Sequence, residues 1–281
     1  MYTILKKQVL NETITLMEID APMVAKHAQC GQFIILMVDE TGERVPLTIA
    51  DYDRSRGSVT IIFQKVGAST RLLDKKGEGD SLYAFVGPLG TASRFDGIRR
   101  ACVIGGGLGV AIAYPQAKEL KRLGADVDLI VGFRNKDLII LEEELTAACT
   151  RLICMTDDGS NGRKGFVTQG LRDCLDGGEA YDVVIAIGPL LMMKAVCDMT
   201  RPLGVRTVVS MNSIMIDGTG MCGGCRVTVD GKQRFACVDG PEFDGHRVDF
   251  GEALTRTRVY LNEEKAAADC HLLNLAGSAA K

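Results

Sequence analysis

The sequence predicts three units in series: a small antiparallel β-barrel over residues 1–98, an α/β domain on a parallel sheet over 99–210, and a small cysteine-bearing module with a C-terminal helix over 211–281. Three observations predict this. The first segment holds β-branched and aromatic runs at short spacing. The second alternates apolar strands with stretches of helical period. The third gathers three cysteines around a hairpin signal. At roughly 100–200 residues per domain, 281 residues accommodate two domains and an added module.

In the first segment, ETITLMEI, GQFIILMV and SVTIIFQKV read as strands. A short helix is expected from Ser69 or Thr70, continuing through RLLD. It follows GAST (Gly67 to Thr70), a glycine turn with hydroxyls at a helix N-terminus. Free N–H groups and the helix dipole make such a turn a phosphate site; the same hydroxyls also serve as plain N-caps. ERVPLTIAD (Glu43 to Asp51) reads as a strand with an edge proline, and GPLGTASRFDG reads as a link between domains.

In the second segment, ACVIGG is a strand that ends in glycines. LGVAIAYPQAKELKRLG has helical period and a glycine stop, with Pro115 expected early in that helix. VIGGGLGVA therefore follows a strand and opens a helix, the setting of a dinucleotide pyrophosphate site, with Gly105, Gly106, Gly107 and Gly109 as candidates. Further strands are DVDLIVGF, RLICMTDDG, DVVIAIGP and VRTVVSM. TDDG brings Asp157 and Asp158, and IGPLLMM brings Gly188 and Pro189, to strand ends, where ligands bind in such sheets. Arg134 after its strand suits either a 2′-phosphate or plain surface.

In the third segment the spacing is Asp217-x4-Cys222-x2-Cys225-x11-Cys237. A plant-type [2Fe–2S] centre uses C-x4-C-x2-C and a distant cysteine; here Asp217 stands in the first place. Gly218, Gly220, Gly223 and Gly224 let the loop curl around a cluster. VTVDGKQRF signals a hairpin turning at Asp230-Gly231, which returns Cys237 to the loop. A zinc ion held by three thiolates and a carboxylate, a redox dithiol, and an aspartate that only caps a turn are the alternatives. EALTRTRVYLNEEKAAA, from Glu252, is an expected amphipathic helix.

Composition narrows the function. The net charge of −3 gives no electrostatic reason for nucleic acid or an anionic membrane as partner. The most apolar run, VVIAIGPLLMM, is too short to span a bilayer. The N-terminus lacks a signal-peptide layout, so a cytoplasmic protein with reduced thiols is expected. Cys30, Cys102, Cys149, Cys154, Cys174, Cys197 and Cys270 are expected to be buried packing residues. His27, His246 and His271 pair with no candidate nucleophile and are expected to be structural or exposed.

The order of barrel, sheet and cluster spacing resembles the ferredoxin–NADP reductase superfamily over essentially the whole chain. It is similar to the electron-transfer subunits of dihydroorotate dehydrogenase, which carry cysteine at the place of Asp217. The aspartate makes it more similar to the small subunits of NADH-dependent reduced-ferredoxin:NADP oxidoreductases, which are electron-bifurcating; relatives serve as sulfide dehydrogenase subunits. The resemblance implies FAD on the barrel. Thr48 matches the family hydroxyl near flavin N5, and Pro46 and Leu47 share its strand, with Leu47 at the aromatic position. Arg44 lies one residue before the family's pyrophosphate arginine, a place held by Val45. Gly67, Ser69 and Thr70 would face the FAD phosphates. The glycines at 105–109 match a shorter GGxG form for NAD(H). Ile187 takes the place of a family cysteine near the nicotinamide, so no thiol chemistry belongs there. The resemblance further implies a [2Fe–2S] cluster on Asp217, Cys222, Cys225 and Cys237. A larger flavin and [4Fe–4S] subunit would be the partner, and would handle ferredoxin and NADP(H). A carboxylate donates less electron density to iron than a thiolate, so a cluster potential above that of an all-cysteine centre is expected. A zinc-knuckle nucleotide-binding protein without redox activity is the rival from another class.

Overall fold

The computed structural model describes residues 2–264 and 266. The chain opens with β1 (Tyr2–Val9), β2 (Ile14–Asp20), a short helix α1 (Pro22–His27), β3 (Phe33–Met37), β4 (Val45–Asp53) and β5 (Ser58–Gln64). Helix α2 (Ala68–Lys75), β6 (Ser81–Leu82) and β7 (Ala84–Leu89) follow. These strands form one sheet in the order β6-β1-β2-β5-β4-β3-β7. Its two edge strands are joined through Tyr83, so the antiparallel sheet nearly closes into a barrel. Alternate residues fill the interior: Val59, Ile61 and Phe63 of β5 meet Met17, Ile19, Ile34, Leu36 and Phe85. Residues on the outer face have another use. Ile14, Ala50 and Ile62 join the core of the second domain.

That domain runs β8 (Arg100–Gly106), α3 (Gly109–Arg122), β9 (Asp126–Phe133), α4 (Glu142–Ala148), β10 (Arg151–Thr156), α5 (Val167–Asp176), β11 (Val183–Ile187), α6 (Leu190–Thr200) and β12 (Thr207–Ser210). Its sheet order is β10-β9-β8-β11-β12-β15, where β15 (Glu242–Asp244) comes from the last segment; all are parallel except β15. The order reverses between β8 and β11, so their carboxyl ends frame the crevice where ligands bind in such sheets. At the opposite end of the sheet, Asp128 is buried and accepts from Arg151 Nε at 2.9 Å, Arg100 Nη2 at 3.1 Å and the Tyr181 hydroxyl at 2.5 Å. Hydrogen bonds from Arg151 and Tyr181 and the nearby guanidinium charges hold its carboxyl below the usual range, against the opposing effect of burial.

The last segment gives the hairpin β13 (Arg226–Val229) and β14 (Lys232–Phe235), then β15 (Glu242–Asp244) and α7 (Phe250–Arg256). Asp230 and Gly231 turn with φ of 55° and 68°, the signature of the expected type I′ hairpin. β15 completes the edge of the parallel sheet against β12. Phe33 and Ile35 of the barrel, Val184 of the parallel sheet and Cys225, Val227 and Cys237 share one core.

Four local expectations shift. α2 starts at Ala68, because Gly67 is extended and the Thr70 hydroxyl accepts from the Gly67 N–H at 3.1 Å. Gly87, Pro88 and Leu89 belong to the edge strand β7, where proline is tolerated, so the link starts at Gly90. Pro115 lies inside α3, buried against the sheet. α7 begins at Phe250 behind its cap Asp249, whose carboxylate accepts from the Glu252 N–H at 2.9 Å, and ends at Arg256. Most of the expected tail beyond residue 264, with Cys270 and His271, lies outside the described residues. Cys102, Cys149, Cys174 and Cys197 are buried as expected; Cys30 and Cys154 are partly so. His27 is exposed, and His246 Nε2 lies 3.0 Å from Thr200 Oγ1. No described helix is long and apolar enough to cross a membrane.

Candidate functional site

At the crevice between β8 and β11, four glycines divide two tasks. Gly105, Gly106 and Gly109 allow close packing. A Cβ on Gly109 would lie 2.3 Å from the Ile187 carbonyl oxygen, one on Gly105 would lie 2.8 Å from Val110 Cα, and one on Gly106 would lie 2.5 Å from Met192 Sδ. Gly107 differs. Its φ is +56°, and an added Cβ would meet nothing within 4 Å. It faces open space ahead of α3, which is where a pyrophosphate would approach the helix N-terminus. Gly188 joins the same point: its added Cβ would be 3.1 Å from the backbone N and O of Gly106 and 2.9 Å from Met192 Cε. Pro189 caps α6 beside it. Met192, the first methionine of the quoted IGPLLMM stretch, packs into the space that Gly106 and Gly188 leave. The glycines of the two quoted motifs are thus brought together.

Asp157 and Asp158 sit two strands away, beyond β10, exposed at the same edge. The Asp158 side chain closes its own turn, accepting from the Ser160 N–H at 2.9 Å. Arg134 is exposed nearby, and its carbonyl accepts from the Asp158 N–H at 3.3 Å.

On the barrel, Pro46, Leu47 and Thr48 are half-buried on β4, and Arg44 is exposed just before it. Thr48 pairs with Phe33 of β3. At α2, Gly67 resembles Gly107, since an added Cβ would meet nothing within 4 Å. Ser69 donates to Glu43 Oε2 at 2.5 Å, and the Thr70 hydroxyl accepts from the N–H groups of Val66 and Gly67 at 3.1 Å. The Thr70 hydroxyl thus does cap the helix, as sequence allowed; Gly67 faces open space, while the Glu43 carboxylate sits on the Ser69 hydroxyl. Two helix N-termini, each preceded by a glycine on open space, fit two phosphate-bearing nucleotides.

The cysteine loop lies between barrel and sheet. Cys225 and Cys237 are buried with their sulfurs 3.2 Å apart. Burial, then the adjacent Cys225 thiol, push the Cys237 thiol up to about 12. A bound cation would offset both effects. Cys222 is exposed, and its sulfur accepts from the Gly224 N–H at 3.4 Å. The Asp217 carboxylate accepts from the N–H groups of Thr219 at 2.8 Å and Cys222 at 2.6 Å, which hold its pKa below the usual carboxylate range. Among the described residues, no three His, Cys, Asp or Glu side chains close on one point. Cys225 and Cys237 are gathered; Asp217 and Cys222 are tied through backbone in the same loop. Gly218, Gly220 and Gly223 take φ of +75°, +84° and +67°, a curl that few side chains permit. Three thiols, one carboxylate and this glycine curl fit an iron–sulfur centre.

Gly218 makes a contact that the sequence did not announce. A Cβ there would lie 2.7 Å from both Ile35 Cδ1 and Leu89 Cδ1. The cysteine loop thus rests directly on β3 and β7. Phe33 pairs with Thr48 on one side and with Leu89 on the other.

Comparison with known proteins agrees with this geometry. Residues 212–249 match the iron–sulfur cluster binding domain of dihydroorotate dehydrogenase B. An uncharacterised protein from the adh 3′ region of Clostridium beijerinckii is 50% identical over 95% of this chain and 93% of its own. The dihydroorotate dehydrogenase B (NAD(+)) electron transfer subunit homolog of Thermotoga maritima is 43% identical over 93% of this chain and 92% of its own. A chain from the structure of the NADH-dependent reduced ferredoxin-NADP oxidoreductase superposes with a TM-score of 0.91 at 40% identity, covering 97% of this chain and 98% of that one. The chain belongs to the family of dihydroorotate dehydrogenase B electron-transfer subunits and their homologues, oxidoreductase subunits with the ferredoxin–NADP reductase fold.

Proposed function

We propose that this chain carries electrons between NAD(H), FAD and a [2Fe–2S] cluster, to or from a larger partner subunit, in a cytoplasmic NADH-dependent reduced-ferredoxin:NADP oxidoreductase. The observation that carries the electron-transfer reading is the seat of the cysteine loop on β3 and β7, one and two strand spacings (about 5 and 10 Å) from the Thr48 strand. A zinc knuckle has no need to stand beside a flavin strand. When bound, the flavin accepts a hydride and passes electrons on, and the cluster carries them one at a time.

The residues of this chain bind and orient. Residues 1–98 would hold FAD, with Thr48 as hydrogen-bond donor to the ring, Pro46 and Leu47 beside it, and Gly67, Ser69 and Thr70 at the phosphates. Arg44 is exposed and free to reach a phosphate. Residues 99–210 would hold NAD(H), with Gly107 at the pyrophosphate, Gly105, Gly106, Gly109, Gly188 and Pro189 shaping the crevice, and Asp157 and Asp158 at its far edge. Residues 211–281 would hold the cluster through Asp217, Cys222, Cys225 and Cys237. A ferredoxin and NADP(H) would be met through a flavin and [4Fe–4S] partner.

Asp217 favours this assignment over service to a dihydroorotate dehydrogenase, whose similarity rests on the matched cluster domain and the Thermotoga homolog. The test is anaerobic purification with the co-expressed genomic neighbours. Flavin, iron, sulfide and zinc are assayed together with NADH oxidation coupled to ferredoxin and NADP, or to dihydroorotate. One FAD, two irons and two sulfides per chain with ferredoxin–NADP coupling are expected. Coupling to dihydroorotate alone would transfer the chain to the second reading. Zinc without iron or flavin would sink both.

A further inference from the structure

Glu242 reaches across three parts of the chain. It lies on β15, five residues after Cys237. Its Oε1 accepts from the Ser93 hydroxyl at 2.7 Å and from the Gln116 side-chain amide. That amide also donates to Ser93 Oγ at 2.9 Å. Gln116 is fully buried on α3. Ser93 lies in the link, and its N–H donates to the Cys30 carbonyl of the barrel at 2.9 Å. The barrel approaches closely because residue 31 has no side chain: a Cβ on Gly31 would stand 2.1 Å from Ser93 Oγ and 2.9 Å from Glu242 Oε1.

The rest of the link is clasped in the same way. Gln32 Nε2 donates to the Gly90 carbonyl at 2.9 Å, and the Thr91 N–H donates to the Gly240 carbonyl at 2.7 Å. A second side-chain tie between α3 and the barrel, Lys118 Nζ to Asp51 Oδ2 at 2.6 Å, is half exposed and open to salt screening. Burial raises the Glu242 pKa, with the Ser93 and Gln116 bonds and the charge of Arg206 opposing it. The Cys30 thiol faces the same carboxyl and is itself pushed up, first by burial, then by the charge of Glu242, with Glu119 adding to it. Placing a carboxyl where water is scarce is costly. Such a group specifies geometry when every partner is satisfied, and loosens the site when one is lost.

We propose that Glu242 is a positioning residue: by holding Ser93 and Gln116 on one oxygen, it fixes the barrel, the parallel sheet and the cysteine module in a single arrangement and so sets the alignment of nicotinamide with flavin. This rests on the electron-transfer reading above. Among the described residues the buried Gln116 Oε1 has no donor, so the Gln116 amide is held only through its nitrogen, on Glu242 and Ser93.

The test uses the full chain with FAD and cluster bound, as Glu242→Ala and Glu242→Gln. Amide exchange at Thr91 and Ser93 reads the clasp. Anaerobic mixing with NADH, followed in the flavin and cluster bands, reads the alignment. Loss of the hydrogen bonds to the half-buried Glu242 carboxyl predicts about tenfold faster exchange and about tenfold slower flavin reduction in Glu242→Ala. Bound FAD, iron content and cluster potential stay unchanged. Glu242→Gln restores both readouts, because its amide oxygen accepts the same two bonds. Unchanged exchange in Glu242→Ala overturns the proposal, as does faster exchange with normal flavin reduction. Should Glu242→Ala not fold, Ser93→Ala removes one arm and is judged by the same criteria. A wild-type chain lacking flavin would defeat the electron-transfer reading, whereas the exchange measurement would still decide whether Glu242 holds the link.

Discussion

Asp217 holds two backbone N–H groups, those of Thr219 and Cys222, and it also stands in the first ligand place of the cluster spacing. The two roles separate by substitution. Asp217→Cys supplies a thiolate, which donates more density to iron, so the cluster midpoint potential is expected to fall in a redox titration. Asp217→Asn keeps an oxygen for the turn but weakens the anionic ligand, so iron content is expected to drop while the loop stays folded. A potential unmoved by Asp217→Cys would leave Asp217 as a turn cap only. At Glu242 the reasoning concerns protons. Its folded pKa is raised by burial, with Arg206 the charge acting on it and Cys30 the titratable group it acts on in turn. Stability from the protonated form is therefore full below the unfolded value of about 4.3 and is lost as pH rises through the folded value. Glu242→Gln does not titrate. Its stability relative to wild type should rise across that window and level off above it, as read by denaturant unfolding at a series of pH values.

At the scale of elements, the start of α3 shows what a glycine pattern can and cannot say. VIGGGLGVA announced a strand, a tight turn and a helix, and those are observed. It did not say which glycine faces open space and which faces protein, because that depends on Ile187 and Met192, which lie about 80 residues onward. The same limit explains the other gaps. The hairpin at Asp230-Gly231 was legible because its turn chemistry is local. β15 was not, since three residues carry no periodicity and its partner β12 is set by the whole sheet. The cluster spacing was legible as chemistry, whereas the resting place of the loop on Ile35 and Leu89 was not. Gly109 and Gly107 make the distinction testable. Gly109→Ala forces a Cβ against the Ile187 carbonyl and should cost about 1–3 kcal/mol, seen as a lowered Tm, together with weaker NADH binding. Gly107→Ala meets no atom but strains a positive φ, so it should cost roughly 1–2 kcal/mol with the packing unmoved. If Gly107→Ala leaves the NADH Kd unchanged, the pyrophosphate does not approach that turn.

For the whole molecule, two interfaces divide one electron path. Glu242 and Gln116 join α3 to the link and so govern how the parallel sheet faces the barrel. Gly218 governs how the cysteine loop sits on the barrel, in contact with Ile35 and Leu89, one and two strands from the strand of Thr48. A change at the second interface should therefore leave the first reaction alone. Gly218→Val places a branched side chain at φ +75°, where two methyl groups already stand 2.7 Å from an added Cβ. The loop must lift from β3 and β7. Anaerobic mixing with NADH should then show flavin reduction at the wild-type rate and cluster reduction several-fold slower, the reverse of the Glu242→Ala pattern, in which flavin reduction itself slows. Adding Leu89→Ala to Gly218→Val makes room for the new side chain, so part of the cluster rate should return although the substitution alone removes core contacts. If the double variant is slower still, the loop is held to the barrel by Leu89 packing rather than by the space at Gly218. If both variants reduce flavin and cluster at wild-type rates, electrons do not cross from the barrel through this contact.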